Sequence, residues 1–186
     1  MWQEILRDYD ESHAGSEENQ ISWFRRQTSL RAAIEKAARA VDDRGKRYDH
    51  QYRIWRQSVR QATAALIAAE ASIAVTASFD DLLRLITEQL REVAGIGALY
   101  CYDAAFRIGA YLGRYPTRVY LHRGTRAGAR ALGLDYRRDA LEMSEVPQEL
   151  RDRQPYEVEN ILCIYERRFR GGSATREGGK GRRRLC

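Results

Sequence analysis

A short glycine turn is the first feature of this chain whose residue pattern suits the binding of a charged group. Gly95-Ile96-Gly97 separates two amphipathic runs, and a helix is predicted to begin at Ala98. The glycines permit a tight turn, Ile96 is expected to fix the turn in the core, and the first N–H groups of a helix have no intrahelical partners. Together with the helix dipole, those donors suit a phosphate oxygen. The alternative is a plain helix–helix connection with a glycine cap.

A basic and aromatic cluster in the sequence GKRYDHQYRIW provides the second group of candidates. Its members are the basic residues Lys46, Arg47, His50 and Arg53 and the interleaved aromatic residues Tyr48, Tyr52 and Trp55. Lysine and arginine neutralise phosphates, and aromatic rings stack on bases. The cluster therefore predicts nucleic-acid contact or the wall of a pocket. The alternative is a solvated loop whose aromatic side chains close the core.

The segment from His122 to Arg126 is predicted to contain a second helix N-terminus that could bind phosphate. Thr125 is predicted to cap a helix, with Arg126 on its first turn. Threonine and arginine both hydrogen-bond phosphate oxygens, so the pair is a candidate second phosphate grip. A capped helix that carries solvated arginines is the competing interpretation.

Three residues are candidates for acid–base catalysis, namely Asp103, His122 and Lys46. An Asp/His pair within hydrogen-bond reach transfers protons, but distance in the sequence does not say whether these residues meet. Asp103 also lies early in a predicted helix, where the helix dipole alone favours a carboxylate. The three histidines have no metal-ligand spacing, and no Walker P-loop, nucleophile elbow or dinucleotide fingerprint is present, so no metal or other cofactor is predicted.

Helical periodicity dominates the elements that must position these residues, and it predicts a compact all-α domain. The predicted helices are Ile21–Val41, Gln57–Ser72, a helix from Ser78 to Val93, Ala98–Leu112, Thr125–Leu132, and a last helix whose first turn holds Pro155. A short extended piece is predicted at Thr117–Leu121. We expect one domain over residues 1–168, with a helix-hairpin-helix-like core at about 78–134.

The positive charge of the chain is concentrated at its C-terminal end. The formal net charge is +6 and the pI is about 9.4. From Arg167 onward there are eight Lys or Arg and one Glu, which gives +7 and leaves the body nearly neutral. Residues 169–186 are Gly-rich and lack periodicity, so they are predicted to form a disordered basic tail. Such a tail adds salt-sensitive attraction to phosphate.

Cysteine spacing and hydropathy bear on the cellular compartment. Cys101, Cys163 and Cys186 form no cluster and are predicted to be free thiols in a reducing environment. No apolar run approaches the ~20 residues of a membrane span, and the N-terminus lacks the pattern of a secretory signal. The sequence therefore predicts a cytoplasmic protein without a membrane partner.

The segment 93–134 resembles the helix-hairpin-helix DNA glycosylase superfamily. The likeness lies in the Gly-Ile-Gly turn, the small-residue helix DAAFRIGAYLG, the P-x-x-V-Y-L piece and the run ARALGL, which occur in the family's order and at similar spacing. Leu99 stands where bifunctional members have a catalytic Lys, and Leu121 or His122 stands where the family has its catalytic Asp. The resemblance therefore implies a phosphate-binding scaffold without intact glycosylase chemistry.

The whole chain also resembles a set of uncharacterised bacterial proteins that end in an E-x-x-L-C-I-Y run. In this sequence the run is Glu159–Tyr165. This second likeness implies no activity.

The leading hypothesis from the sequence is a nucleic-acid-binding protein, with duplex DNA as the expected partner. The predicted contact residues are Gly95, Gly97, Ala98, Thr125, Arg126, Lys46, Arg47 and Arg53. The second hypothesis is an enzyme on the same scaffold that acts on a nucleobase or phosphodiester through Asp103, His122 and Lys46. The third is a protein–protein interaction module whose exposed aromatic residues meet another chain.

Overall fold

The computed structural model describes residues 1–48 and 51–171, and these residues are mostly helical, which confirms the all-α class. In chain order the α-helices are α1 (Trp2–Tyr9), α2 (Gly15–Arg25), α3 (Leu30–Arg39), α4 (Arg56–Ala68), α5 (Glu70–Ala74), α6 (Phe79–Leu90), α7 (Ala98–Leu112), α8 (Arg123–Ala131), α9 (Pro155–Ile164) and α10 (Glu166–Phe169). Strands β1 (Val119–Tyr120) and β2 (Ala140–Leu141) pair antiparallel, with Val119 opposite Leu141. A π-helical turn, Asp10–Ala14, follows α1, and a 3₁₀ turn, Gln148–Leu150, precedes α9.

The chain divides into two compact units. The central unit is Gly15–Pro116, and the terminal unit combines Met1–Ala14 with the described residues from Thr117 onward. Compact units of one chain can unfold together or separately, so the predicted single domain over residues 1–168 stays a prediction. Of the predicted tail, 169–186, all but residues 169–171 lie outside the described residues, and Phe169 is the last residue of α10.

Helix α7 forms the middle of the central unit, where it contacts α2, α3 and α6. Most of its side chains are buried, from Tyr100 through Ala110. Gly97 is its N-cap, and Gly113 ends it in the left-handed region at φ +69°. Glycine adopts that conformation without the steric cost a Cβ would bring, so the sequence alone predicts both ends of this helix correctly.

Two predicted helices of the central unit are wrong in length. The predicted helix Ile21–Val41 is interrupted between Arg25 and Leu30, because the Ser29 hydroxyl accepts a hydrogen bond from the Ala32 N–H at 3.1 Å and starts α3 anew. The predicted helix Gln57–Ser72 is likewise divided into α4 and α5. The start of α6 is confirmed, since the Ser78 hydroxyl accepts from the Asp81 N–H.

In the terminal unit, α8 packs on α9 at a point where no side chain fits between them. A Cβ built on Gly128 would lie 1.9 Å from the carbonyl oxygen of Leu162. Pro155 is the first residue of α9, as predicted, and Val158 and Ile161 are fully buried in the core that surrounds it. The glycine lets two helix backbones approach closely, which a larger residue would prevent.

The two described cysteines differ in their bonding. Cys101 is a buried free thiol, which confirms the prediction there, whereas Cys163 is disulfide-bonded, so the free-thiol prediction is wrong for that residue. Burial raises the pKa of the Cys101 thiol.

Among the described helices, none combines the length and apolar character that crossing a bilayer requires.

Candidate nucleic-acid interface

The N-terminus of α7 is open to solvent. Gly95 is left-handed at φ +80°, and Gly97 is the extended N-cap residue, with no side chain bonded to the first turn. Gly95, Gly97 and Ala98 are all exposed, and a Cβ built on Gly97 would meet no atom within 4 Å. The first intrahelical bond runs from the Cys101 N–H to the Gly97 carbonyl. Within the described part of the chain, no side chain hydrogen-bonds the N–H groups with which this helix begins.

The glycine turn lies close to the first turn of α4. A Cβ built on Gly95 would lie 3.6 Å from the Oγ of Ser58, a buried residue in the first turn of α4. Trp55, which precedes α4, is 76% exposed, and Arg56 at the start of α4 is also exposed. The open end of α7 is therefore held beside the N-terminal end of α4.

The loop that carries Lys46 is tied together by one aspartate. The Asp42 carboxylate accepts hydrogen bonds from the backbone N–H groups of Arg44 at 3.0 Å and Lys46 at 2.8 Å. Gly45 takes the left-handed conformation at φ +73°, and Val41 pairs with Arg47 in a single β-bridge. These bonds hold a tight loop over residues 41–47 with the Lys46 side chain exposed near its tip.

Arg47 connects that loop to the segment before α4. Its Nη1 donates to the carbonyl oxygen of Ile54 at 3.0 Å. In the same segment Arg53 Nε donates to the Tyr52 hydroxyl at 2.9 Å and lies over the Tyr52 ring, which is 56% exposed as a residue. Lys46 and Arg47 thus lie in a loop that is bonded to the segment before α4, which also carries Arg53. The glycine turn lies near Ser58, on another face of α4.

Tyr48 does not have the base-stacking position predicted for it. The guanidinium of the buried Arg107 lies over its ring, 4.1 Å from the ring centroid. Burial raises the pKa of the Tyr48 phenol, although the charge of Arg107 acts in the opposite direction. Tyr52 and Trp55 are thus the exposed rings of the predicted cluster. His50, its remaining basic member, lies outside the described residues.

Asp103 belongs to a polar cluster that anchors the segment before α4, through Gln51, to α7. Gln51 Nε2 donates to Asp103 Oδ2 at 2.5 Å, and Arg107 Nη1 donates to Gln51 Oε1 at 3.1 Å. Arg107 Nη2 also lies 3.8 Å from Asp103 Oδ2. Each group of this cluster holds the next, so the geometry gives Asp103 a structural task.

The three candidate catalytic residues do not form one site within either unit. Lys46 and Asp103 belong to the central unit, and His122 belongs to the terminal unit, where it is the N-cap of α8. The predicted cap at Thr125 is wrong, because α8 begins at Arg123.

Thr125 and Arg126 are engaged inside the terminal unit. Thr125 is fully buried, and its hydroxyl donates to Oε1 of the buried Glu159 at 2.7 Å. Arg126 donates from Nη1 to the carbonyl of Tyr136 and from Nη2 to Asp139. Because Thr125 has no exposed surface, it does not offer the phosphate contact predicted for it. Arg126 is partly exposed and has a structural role in holding the following loop.

Comparisons with protein-family models, curated proteins and solved structures found no match for the chain.

Three basic residues near the start of α4 were not among the predicted site residues. Arg39, Arg56 and Arg60 line a cavity together with Arg47. The spacing of Arg56 and Arg60, one helical turn apart, is visible in the sequence and points to a shared face. The participation of Arg39 depends on how α3 packs against α4, which local spacing does not reveal.

Proposed function

We propose that the central unit binds nucleic acid, with duplex DNA as the preferred form, through the open end of α7 and the basic loop before α4. The observation that supports this most directly is the exposed start of α7, whose glycine turn lies near Ser58 of α4 in the unit that also carries the exposed Lys46 and Arg53. Helix N-termini bind phosphate oxygens through such donors.

The proposed contacts divide into two kinds. Backbone N–H groups at Gly97 and Ala98 grip one phosphate, while Lys46 and Arg53 neutralise neighbouring phosphates along the strand. Tyr52 and Trp55 present exposed rings that cover sugar or base surface. Contacts of this kind position a duplex without reading its sequence, so binding is expected to be largely sequence-independent and steeply salt-dependent.

The decisive variant is Gly97→Asp. A Cβ at this position meets no neighbour, so the substitution fits the fold, and aspartate at an N-cap occupies the first-turn donors itself. We expect duplex affinity to fall at least tenfold, measured by fluorescence anisotropy on a labelled duplex of about 20 base pairs, about two helical turns. The stability of the protein is expected to be equal or slightly higher.

Gly97→Asn is the matched control, because asparagine occupies the same donors without a negative charge. It is expected to reduce affinity less than Gly97→Asp does. Lys46→Gln and Arg53→Gln are each expected to lower the slope of log affinity against log salt by about one. Each measurement is made on the unmodified chain and on a full-length variant whose Lys and Arg residues after Gly171 are replaced by Gln, because the basic tail adds attraction of its own. Unchanged affinity when Gly97→Asp is combined with that variant overturns the phosphate grip, and tighter binding of the single strand overturns the duplex preference.

A further inference from the structure

A cavity of about 670 Å³ lies in the central unit between α3, α4 and the loop over residues 41–47. Its size is within the usual range for small-molecule sites. Four arginines line it, namely Arg39, Arg47, Arg56 and Arg60, together with one acid, Glu35. This composition points to an anionic ligand.

The arginines of the cavity are not equally neutralised. Arg39 is paired with Glu35 at 3.3 Å, and Arg47 is held in place by the Ile54 carbonyl. Arg56 and Arg60 lie one turn apart on the same face of α4, and among the described residues no acid pairs with either of them. Like charges at this spacing destabilise a helix, so their placement favours a ligand charge between them. Three guanidinium groups without an acidic partner among the described residues fit a doubly charged phosphate monoester better than a single carboxylate.

The rest of the cavity lining is largely apolar, with Thr63 as its polar exception. Val41, Val59, Ala64 and Ile67 contribute to it, and the three of these that belong to α4 lie on the same side of the helix as Arg56 and Arg60. A free phosphate ion would leave this surface and most of the volume unused. The ligand is therefore expected to carry a ring or another apolar body of nucleotide size beside its phosphate.

We infer that this cavity binds an organic phosphate monoester with an aromatic or apolar body. Arg47, Arg56 and Arg60 hold the phosphate, and the apolar residues of α4 beside these arginines hold the body. A free small molecule and the phosphorylated end of a nucleic-acid strand share this chemistry. The inference does not depend on the proposed duplex grip, because Ser58, which contacts the glycine turn, is two residues from both Arg56 and Arg60 and points to another face of α4.

Calorimetric titration of the full chain at 150 mM salt tests the inference. The probes are adenosine 5′-monophosphate and phenyl phosphate, with adenosine, inorganic phosphate and glucose 6-phosphate as incomplete or polar counterparts. We expect at least one of the two aromatic monoesters to bind at least tenfold more tightly than every counterpart. A tetranucleotide with and without a 5′-phosphate identifies the source. Tighter binding of the phosphorylated strand than of the mononucleotide assigns a strand end, and the reverse assigns a free ligand.

Two variants separate the cavity from general surface charge. Arg56→Gln combined with Arg60→Gln is expected to weaken monoester binding at least tenfold, while the same change at Arg31 and Arg84, which lie outside the cavity, leaves it unchanged. Ala64→Trp fills the cavity from an exposed position and retains every charge, and it is also expected to abolish binding.

Failure of both aromatic monoesters to bind at 10 mM overturns the inference, and so does binding that survives Ala64→Trp. Gly97→Asp is expected to leave monoester binding unchanged, and Ala64→Trp is expected to leave duplex binding unchanged. A failure of this inference is therefore distinguishable from a failure of the proposed function.

Discussion

The N-termini of α7 and α8 look alike in the sequence and differ in the structure. Each was predicted to grip phosphate, because a glycine and a small or hydroxyl-bearing residue stand at its start. In α7 Gly97 and Ala98 are exposed at the helix start, whereas in α8 the predicted capping residue, Thr125, lies inside the helix and is fully buried against Glu159. A residue predicted to contact phosphate is therefore available to an anion only where the surrounding packing leaves it accessible. The sequence shows the residue types, and tertiary contacts determine their accessibility.

The largest expected effect is on the free energy of unfolding, and it is expected for Gly128 in α8 when compared with Gly97 at the start of α7. Gly128→Ala places a Cβ 1.9 Å from the Leu162 carbonyl in the backbone of α9, so we expect the free energy of unfolding to fall by about 3 kcal/mol, the upper end for overpacking. Gly97→Ala meets no atom and is expected to cost about 1 kcal/mol at most, through the poorer cap. Urea denaturation measures both. Equal losses of stability would show that Gly128 is not required for close packing of α8 on α9.

A medium effect is expected at Thr125, which is buried in the first turn of α8. Thr125→Val removes the hydroxyl that donates to the buried Glu159 and should lower the free energy of unfolding by about 2 kcal/mol, because the buried carboxyl loses this hydrogen bond. Duplex affinity of the folded protein is expected to stay unchanged. Glu159→Gln, which keeps an oxygen acceptor for Thr125, is the matched control and should cost less. If Thr125→Val weakens DNA binding at unchanged stability, α8 is a second phosphate grip after all.

The smallest effect is expected at α6, which supplies its own cap. The Ser78 hydroxyl donates to Asp81 Oδ2 at 2.8 Å and Arg84 donates to Oδ1, and these bonds hold the pKa of Asp81 below its usual value of 3.8. A lowered carboxyl pKa stabilises the fold above pH 3.8, and that contribution is lost as the pH falls through the lowered pKa. Ser78→Gly gives α6 the cap residue of α7 and should move the pKa of Asp81 upward.

Carboxyl chemical shifts followed by NMR between pH 2 and pH 6 check this prediction. An Asp81 pKa at or above 3.8 in the unmodified protein would contradict it. An Asp81 pKa that stays low in Ser78→Gly would assign the shift to Arg84 alone.

Local signals in the sequence predicted the helices whose ends are set by their own residues. Gly97 and Gly113 bound α7, Ser78 starts α6, and Pro155 starts α9, and all of these are confirmed. The predicted helix Ile21–Val41 is wrong because its apolar periodicity continues past Ser29, which nevertheless caps a new helix. Periodicity reports which face is buried, and it does not report a break that preserves that face.

The candidate site was predictable in part for the same reason. Lys46, Arg47 and Arg53 stand close together in the sequence, so their grouping was visible. The contact between Gly95 and Ser58 and the polar cluster of Gln51, Asp103 and Arg107 join residues 37 to 56 positions apart. Contacts of that kind arise from helix packing, which one sequence without its fold does not specify.

The terminal unit is assembled from both ends of the chain, and this has a consequence for synthesis. Asp8 accepts a hydrogen bond from the Tyr165 hydroxyl, and Asp10 pairs with Arg153 through both carboxylate oxygens. At the usual rates of translation, the first fourteen residues wait on the order of ten seconds for these partners to leave the ribosome. The contiguous central unit has all of its contacts available earlier. The order of folding is thus set by chain topology, and the opening helix is the segment most exposed to a chaperone or a protease during that interval.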